Sequence, residues 1–190
     1  MMDWTEVFGA ATGLLYVILE IRQKRSMWIV GAVSALIYMA VFFTSALYAA
    51  MGLQLYYLVV SVYGWQKWGV KSPDENSNRE VVVGMKFNLL LISSFVSLVC
   101  YFGLTWILEN YTGDPNPRLD AFITTISMLA TYWVTKKHIE HWFLWIIADT
   151  LAVFLYMQQG LYATTALYVI YIAAAVAGYL HWRKFPRVLN

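Results

Sequence analysis

Charge and cysteine are both scarce in this chain. Asp, Glu, Lys and Arg make up 13% of 190 residues, while 61% are hydrophobic. A soluble domain carries about 25% charged residues, so an ordinary soluble fold is excluded. The net charge of +2 says little by itself; its distribution carries the information. Cys100 is the one cysteine. It permits neither an intrachain disulfide nor a multi-cysteine zinc site, and within its apolar segment it reads as a small buried hydrophobe. There is no phosphate-binding G-x-x-x-x-G-K-[ST] loop, no G-x-G-x-x-G turn after a strand and no H-E-x-x-H helix. An ATP motor, a nicotinamide-redox domain and a zinc protease are thereby excluded. No secretory signal is expected at the N-terminus, where Asp3 and Glu6 flank an apolar run long enough to span a membrane.

What the chain has is long apolar runs. A bilayer core of about 30 Å needs roughly 20 helical residues. Seven segments fit, at 4–21, 28–44, 47–65, 86–108, 119–135, 142–158 and 161–181. The polar stretch 71–80 reads as a solvated loop, and a shorter break at 110–117 separates spans four and five. Alternate connections gather twelve of the thirteen Lys and Arg residues on one side and leave Arg118 on the other. The positive-inside rule then puts the N-terminus outside and the C-terminus in the cytoplasm.

The sequence also repeats at an offset of 114 residues. Leu47-Tyr48-Ala49 matches Leu161-Tyr162-Ala163; Trp28 matches Trp142, Gly64 matches Gly178 and Trp68 matches Trp182. Glu6 matches Asp120, and Arg22 matches Lys136. Spans one to three thus pair with five to seven, and span four is a linker. An even number of crossings separates each pair, so the repeats are parallel. The expected fold is an all-α membrane protein of seven transmembrane helices in a 3+1+3 plan, as in SWEET carriers. Its parts are a first three-helix repeat (1–70), a cytoplasmic loop (71–80), a linker helix (81–110) and a second three-helix repeat with the C-terminal tail (111–190).

Within span six, Trp142, Trp145 and Asp149 fall on one helical face. Asp149 lies about 10 Å inside the cytoplasmic end at 1.5 Å per residue. A carboxylate there costs about 2.5–3.5 kcal/mol unless a cavity, partner or ligand receives it. A structural hydrogen bond to a neighbouring Tyr or Gln would serve, and so would a cationic solute. Trp142 and Trp145 could anchor the interface, but a lipid-facing stripe would carry the carboxylate with it. Stacking on a planar or cationic guest fits better. Gln54, Tyr57, Ser61 and Trp65 form a polar-aromatic stripe on span three, and Tyr171 is the offset mate of Tyr57. Glu6 and Asp120 suit a gate or a helix cap equally. Gln158 and Gln159 read as wet. His138 and His141, among Lys136, Lys137 and Glu140, read as solvated loop residues rather than metal ligands. Gly31, Ala35, Ala175 and Gly178 read as close helix contacts.

Trp142-x-x-Trp145-x-x-x-Asp149, with Tyr63-Gly64-Trp65-x-x-Trp68, Gly160-Leu161-Tyr162 and Gly178-Tyr179-x-x-Trp182, resembles the PnuC-type vitamin transporters. The resemblance covers nearly the whole chain. It implies a SWEET-like fold and facilitated diffusion of a pyridine nucleoside or related vitamin across a bacterial inner membrane. It further implies trapping by a cytoplasmic kinase and, in some members, a homotrimer. Trp142, Trp145 and Asp149 match the signature; many nicotinamide riboside members carry Asn at the third position. Gln54 and Tyr57 match positions that line the pocket from the other repeat. The implied solute is a cationic heteroaromatic vitamin, nicotinamide riboside first and thiamine second, moved without an enzyme activity or a cofactor. The lipid bilayer, the vitamin and the kinase are the expected partners, with no nucleic acid among them. Two rivals remain: an intramembrane enzyme, which would want more than one ionisable group at depth, and a substrate-binding subunit working with an ATPase.

Overall fold

The computed structural model describes residues 4–44, 48–69, 82–185 and 187–189. Seven helices follow in order among them: α1 (Trp4–Ile21), α2 (Met27–Thr44), α3 (Tyr48–Gly69), α4 (Phe87–Tyr111), α5 (Pro117–Thr135), α6 (His141–Gln158) and α7 (Tyr162–Trp182). The polar stretch 71–80 lies outside the described residues. α4, α6 and α7 are long and apolar enough to cross a membrane. A spanning segment in lipid must pair its own backbone polar groups, which a helix does internally. Proline enters these helices only as Pro117, at the first position of α5, where its missing N–H costs nothing.

The chain falls into two compact units, residues 1–80 and 81–190. In the first, α2 packs on both α1 and α3; in the second, α4 packs on α5, α5 on α6 and α6 on α7. Each unit contains a tryptophan seated on a glycine. Trp28 of α2 lies on Gly64 of α3, where any Cβ would overlap its indole; Trp68 meets it edge-on, with ring centroids 5.6 Å apart. Trp142 of α6 lies likewise on Gly178 of α7, with Trp182 edge-on at 5.7 Å. All three of Trp28, Trp142 and Trp182 are at most 1% exposed. Only glycine leaves room for an indole this close to a helix backbone.

Helix ends are closed in matching ways. α1 ends with Gln23 N–H on Glu20 O and Lys24 N–H on Leu19 O, with Gln23 at φ 49°. α5 ends with Lys137 N–H on Val134 O and His138 N–H on Trp133 O, with Lys137 at φ 56°. These are Schellman closures made without the usual glycine. After α6, Gly160 takes that left-handed position at φ 73°.

Two features were not foreseen in the sequence. Beside the seven helices, β1 (Val82–Gly84) pairs in parallel with β2 (Arg187–Leu189) as a short addition to the helical fold. The α5–α6 turn joins this pair: Val83 N–H donates to Lys137 O at 3.0 Å, and His138 Nδ1 donates to Val83 O at 3.3 Å. Cys100 is exposed, not buried. It sits on α4, whose outer face bears Phe95 (67% exposed) and Phe102 (62% exposed). An apolar segment facing lipid and one facing protein look the same in sequence, so only packing separates them.

Candidate functional site

The six residues expected at the site divide between the two units. Trp142, Trp145, Asp149 and Tyr171 lie in the second, and Gln54 and Tyr57 in the first.

On α6 the three signature residues differ in environment. Trp142 is wholly buried, held by Gly178 beneath, Trp182 edge-on and His141 at 4.5 Å. Trp145 is half-buried, and its Nε1 is shielded without a hydrogen-bond partner among the described residues. Asp149, one turn deeper, is 6% exposed. The carboxylate is therefore turned into the protein rather than toward lipid. Trp145 and Asp149 are four residues apart and so stack on one face.

Thr125 of α5 went unread in the sequence. It is 3% exposed, and its hydroxyl has no partner among the described residues. It lies ten residues before the end of α5, and Asp149 eight after the start of α6. At 1.5 Å per residue the two sit at similar depths, roughly 15 and 12 Å from the turn that joins the helices. Hydroxyls scattered along the span at Thr124, Thr125, Ser127, Thr131 and Thr135 single out none of them, which is why it escaped notice. On α7, Tyr171 is half-buried and meets Tyr168 at 5.5 Å, and Tyr168 meets Tyr156 of α6 at 5.0 Å. Tyr168 could have been found, since it lies 114 residues beyond Gln54.

In the first unit, Gln54 and Tyr57 of α3 are both half-buried, with Tyr57 against Tyr56 at 5.6 Å. Ser61 of the same stripe is 5% exposed; its Oγ lies 2.9 Å from where a Cβ on Gly31 would stand, so it faces α2. Trp65 carries the Arg25 guanidinium over its ring at 3.7 Å, and Arg25 Nε donates to Trp65 O at 2.8 Å.

One expectation needs correction. His138 and His141 are not solvated: they are 5% and 0% exposed. His141 Nδ1 donates to His138 O at 2.5 Å while its ring packs on Trp142 and Trp182. Burial pushes His138 below the ordinary histidine value. A second acid is buried as well. Glu20, in the last turn of α1, is 2% exposed. Among the described residues no cluster of three or more His, Cys, Asp or Glu side chains could hold a metal. At the other end of α5, Arg118 Nε donates to Glu109 at 2.8 Å on the surface, a pair that water screens.

The chain is similar throughout its length to known transporters. It is 24% identical over 209 residues to the nicotinamide riboside transporter PnuC of Escherichia coli (strain K12), covering 98% of this chain and 87% of the relative. It is 27% identical to the nicotinamide riboside transporter PnuC of Neisseria mucosa, covering 97% and 74%. It is 26% identical to the riboflavin/roseoflavin transporter RibM of Streptomyces davaonensis, covering 94% and 84%. A crystal structure of the vitamin B3 transporter PnuC superposes with a TM-score of 0.70 at 24% identity, covering 95% of this chain and 81% of that one. The family described as nicotinamide mononucleotide transporter matches residues 3–184. With that match and these apolar helices, the chain belongs to this family, that of the PnuC transporters, and is a multi-pass membrane transporter rather than an enzyme.

Proposed function

We propose that this protein carries a cationic heteroaromatic vitamin, nicotinamide riboside foremost, down its gradient by facilitated diffusion. One observation carries the reading: a buried carboxylate, Asp149, one turn from a half-buried indole, Trp145. Charge pairing and cation–π contact would hold a fixed aromatic cation, the second worth about 0.5–2 kcal/mol. Two relatives named as nicotinamide riboside transporters agree with this. The riboflavin transporter relative makes an uncharged flavin the second reading, but such a solute gains less from a carboxylate. Thiamine, also cationic, fits the charge as well as nicotinamide riboside does.

In this reading Trp145 stacks on the solute, Asp149 pairs with its charge, and the Thr125 hydroxyl bonds a polar substituent. Tyr171 completes the lining within the second unit, and Gln54 and Tyr57 are the first unit's candidate contacts to the solute. Trp142, packed on Gly178 and Trp182, positions α6 behind Trp145.

The seven helices form two parallel repeats around linker α4. Four matched positions at an offset of 114 support this: Trp28, Gly64 and Trp68 share the geometry of Trp142, Gly178 and Trp182, and Gln23 shares the left-handed backbone of Lys137. Rocking of one repeat against the other would expose the site alternately. By the basic-residue asymmetry the N-terminus lies outside the bacterial inner membrane and the C-terminus in the cytoplasm. There a kinase would phosphorylate and trap the solute, and a homotrimer is the assembly that the family resemblance implies.

The test is uptake of labelled nicotinamide riboside into proteoliposomes loaded with kinase and ATP. Asp149→Asn should lower affinity at least roughly 30-fold, since losing one partner of a buried charge pair costs about 2–5 kcal/mol. Uptake by Asp149→Asn and Trp145→Ala at wild-type affinity would remove the site assignment.

A further inference from the structure

α6 bears Trp145 and Asp149, and its first turn lacks the usual closure. Glu140 stands at the N-cap position with a helical backbone and gives no side-chain cap. The N–H groups at a helix start must then be met by something else. Here the preceding turn supplies the acceptors: His141, Trp142 and Phe143 N–H donate to His138, Ile139 and Glu140 O at 3.3, 3.3 and 3.1 Å. His138 O also accepts from His141 Nδ1 at 2.5 Å, so one carbonyl holds both the backbone and the ring of His141. That ring packs on Trp142 at 4.5 Å and on Trp182 at 4.8 Å. The direction in which α6 sets out therefore depends on where His138 stands.

β1 fixes His138. Val83 N–H donates to Lys137 O at 3.0 Å, and His138 Nδ1 donates to Val83 O at 3.3 Å. Met85 N–H reaches Glu140 Oε1 at 3.5 Å. A strand of three residues does not hold itself in place. Its other edge is occupied by β2 in parallel register, with Val82 beside Arg187, Val83 beside Val188 and Gly84 beside Leu189. Val83 is thus paired on both sides, with Val188 on one and His138 on the other. Lys24 and Met27 stand 114 residues before His138 and His141, so the first unit has no matching histidine pair.

We propose that β2, β1 and His138 form a strap across the start of α6, and that His138 and His141 are positioning residues that hold Trp145 and Asp149 at the angle the solute requires. Trp145 lies one turn beyond His141 and Asp149 two turns beyond, so a tilt of the first turn carries both. A looseness of about 1 Å is enough to spoil a binding site. The inference rests on the reading of Trp145 and Asp149 given above.

The experiment compares three variants with the full chain in lipid nanodiscs. A chain ending at Pro186 removes β2; His138→Leu removes the donor to Val83 O; His138→Asn can place an amide N–H where Nδ1 stands. Backbone hydrogen exchange is read at fixed pH without solute, affinity by quenching of tryptophan fluorescence with nicotinamide riboside, and melting midpoints by circular dichroism. The shortened chain and His138→Leu should lose protection at 82–84 and 138–143 by about fivefold or more, the factor for one hydrogen bond. Both should bind nicotinamide riboside several-fold more weakly, and the shortened chain should melt with the full chain because its helices are intact. His138→Asn should keep protection and affinity. Exchange needs no solute, so absent quenching in the full chain would end the vitamin reading while exchange still decides the strap. If His138→Leu does not fold, the shortened chain carries the test. Undiminished protection at 138–143 in the shortened chain, or an affinity that falls only in step with the melting midpoint, would overturn the proposal.

Discussion

Replacing Gly178 by alanine adds one methyl group to α7 at the point where Trp142 rests. That methyl would overlap the six-membered ring of the indole at Cη2, Cζ2 and Cζ3, all well inside 3.0 Å. Ordinary carbon contacts lie at about 3.5–4.0 Å, so the ring or the helix must retreat by roughly 1 Å. Trp142 has no slack, being fully buried between His141 and Trp182. Overpacking of this kind costs about 1–3 kcal/mol, and the rigid neighbours place it at the upper end. Alanine returns up to about 1 kcal/mol of helix propensity. The net loss is then about 2 kcal/mol, or roughly 4–8 °C in melting midpoint for a chain of this size. Gly103→Ala and Gly52→Ala are the internal controls. Both glycines are helical, yet a Cβ on either meets nothing within 4 Å, so the same substitution should be neutral or slightly stabilising. Gly178→Ala combined with Trp142→Phe, which withdraws the offending ring, should recover part of the loss. Circular dichroism melts in detergent read all four variants. A Gly178→Ala midpoint equal to that of Gly103→Ala would refute the reasoning.

Trp142→Ala and Trp145→Ala should separate in kind. The first leaves a buried cavity and should cost about 3–5 kcal/mol of stability; the second should melt near wild type yet lose solute-induced quenching of tryptophan fluorescence. Lys137→Gly relieves a left-handed backbone that costs a residue bearing a Cβ roughly 1 kcal/mol, so its melting midpoint should rise by a few degrees. His138 is held below its ordinary value of 6.5, chiefly by burial. Above that value folded and unfolded chains are both neutral there. As pH falls below it, the unfolded chain takes up the proton first, and stability is lost. Hydrogen-exchange protection factors at Val83 and the α5–α6 turn should therefore fall below about pH 6.5, and His138→Gln should flatten that dependence.

Hydropathy and length sufficed for the helices, because a bilayer demands long apolar segments whose backbone bonds close internally. The expected spans 142–158 and 161–181 sit within a residue of α6 and α7. Helical spacing likewise put Trp145 and Asp149 on one face. What each side chain touches was decided elsewhere in the chain. Trp142 reads as a stacking ring until Gly178, 36 residues later, is seen beneath it. His138 and His141 sit in a polar run that reads as solvent-exposed, yet β1, arriving from 55 residues earlier, covers the turn they form. The β1–β2 pair is too short for any periodicity to announce it. In a membrane protein the outside is as apolar as the core. Composition can therefore say that a segment is buried in something, and only tertiary packing says whether that something is lipid or protein.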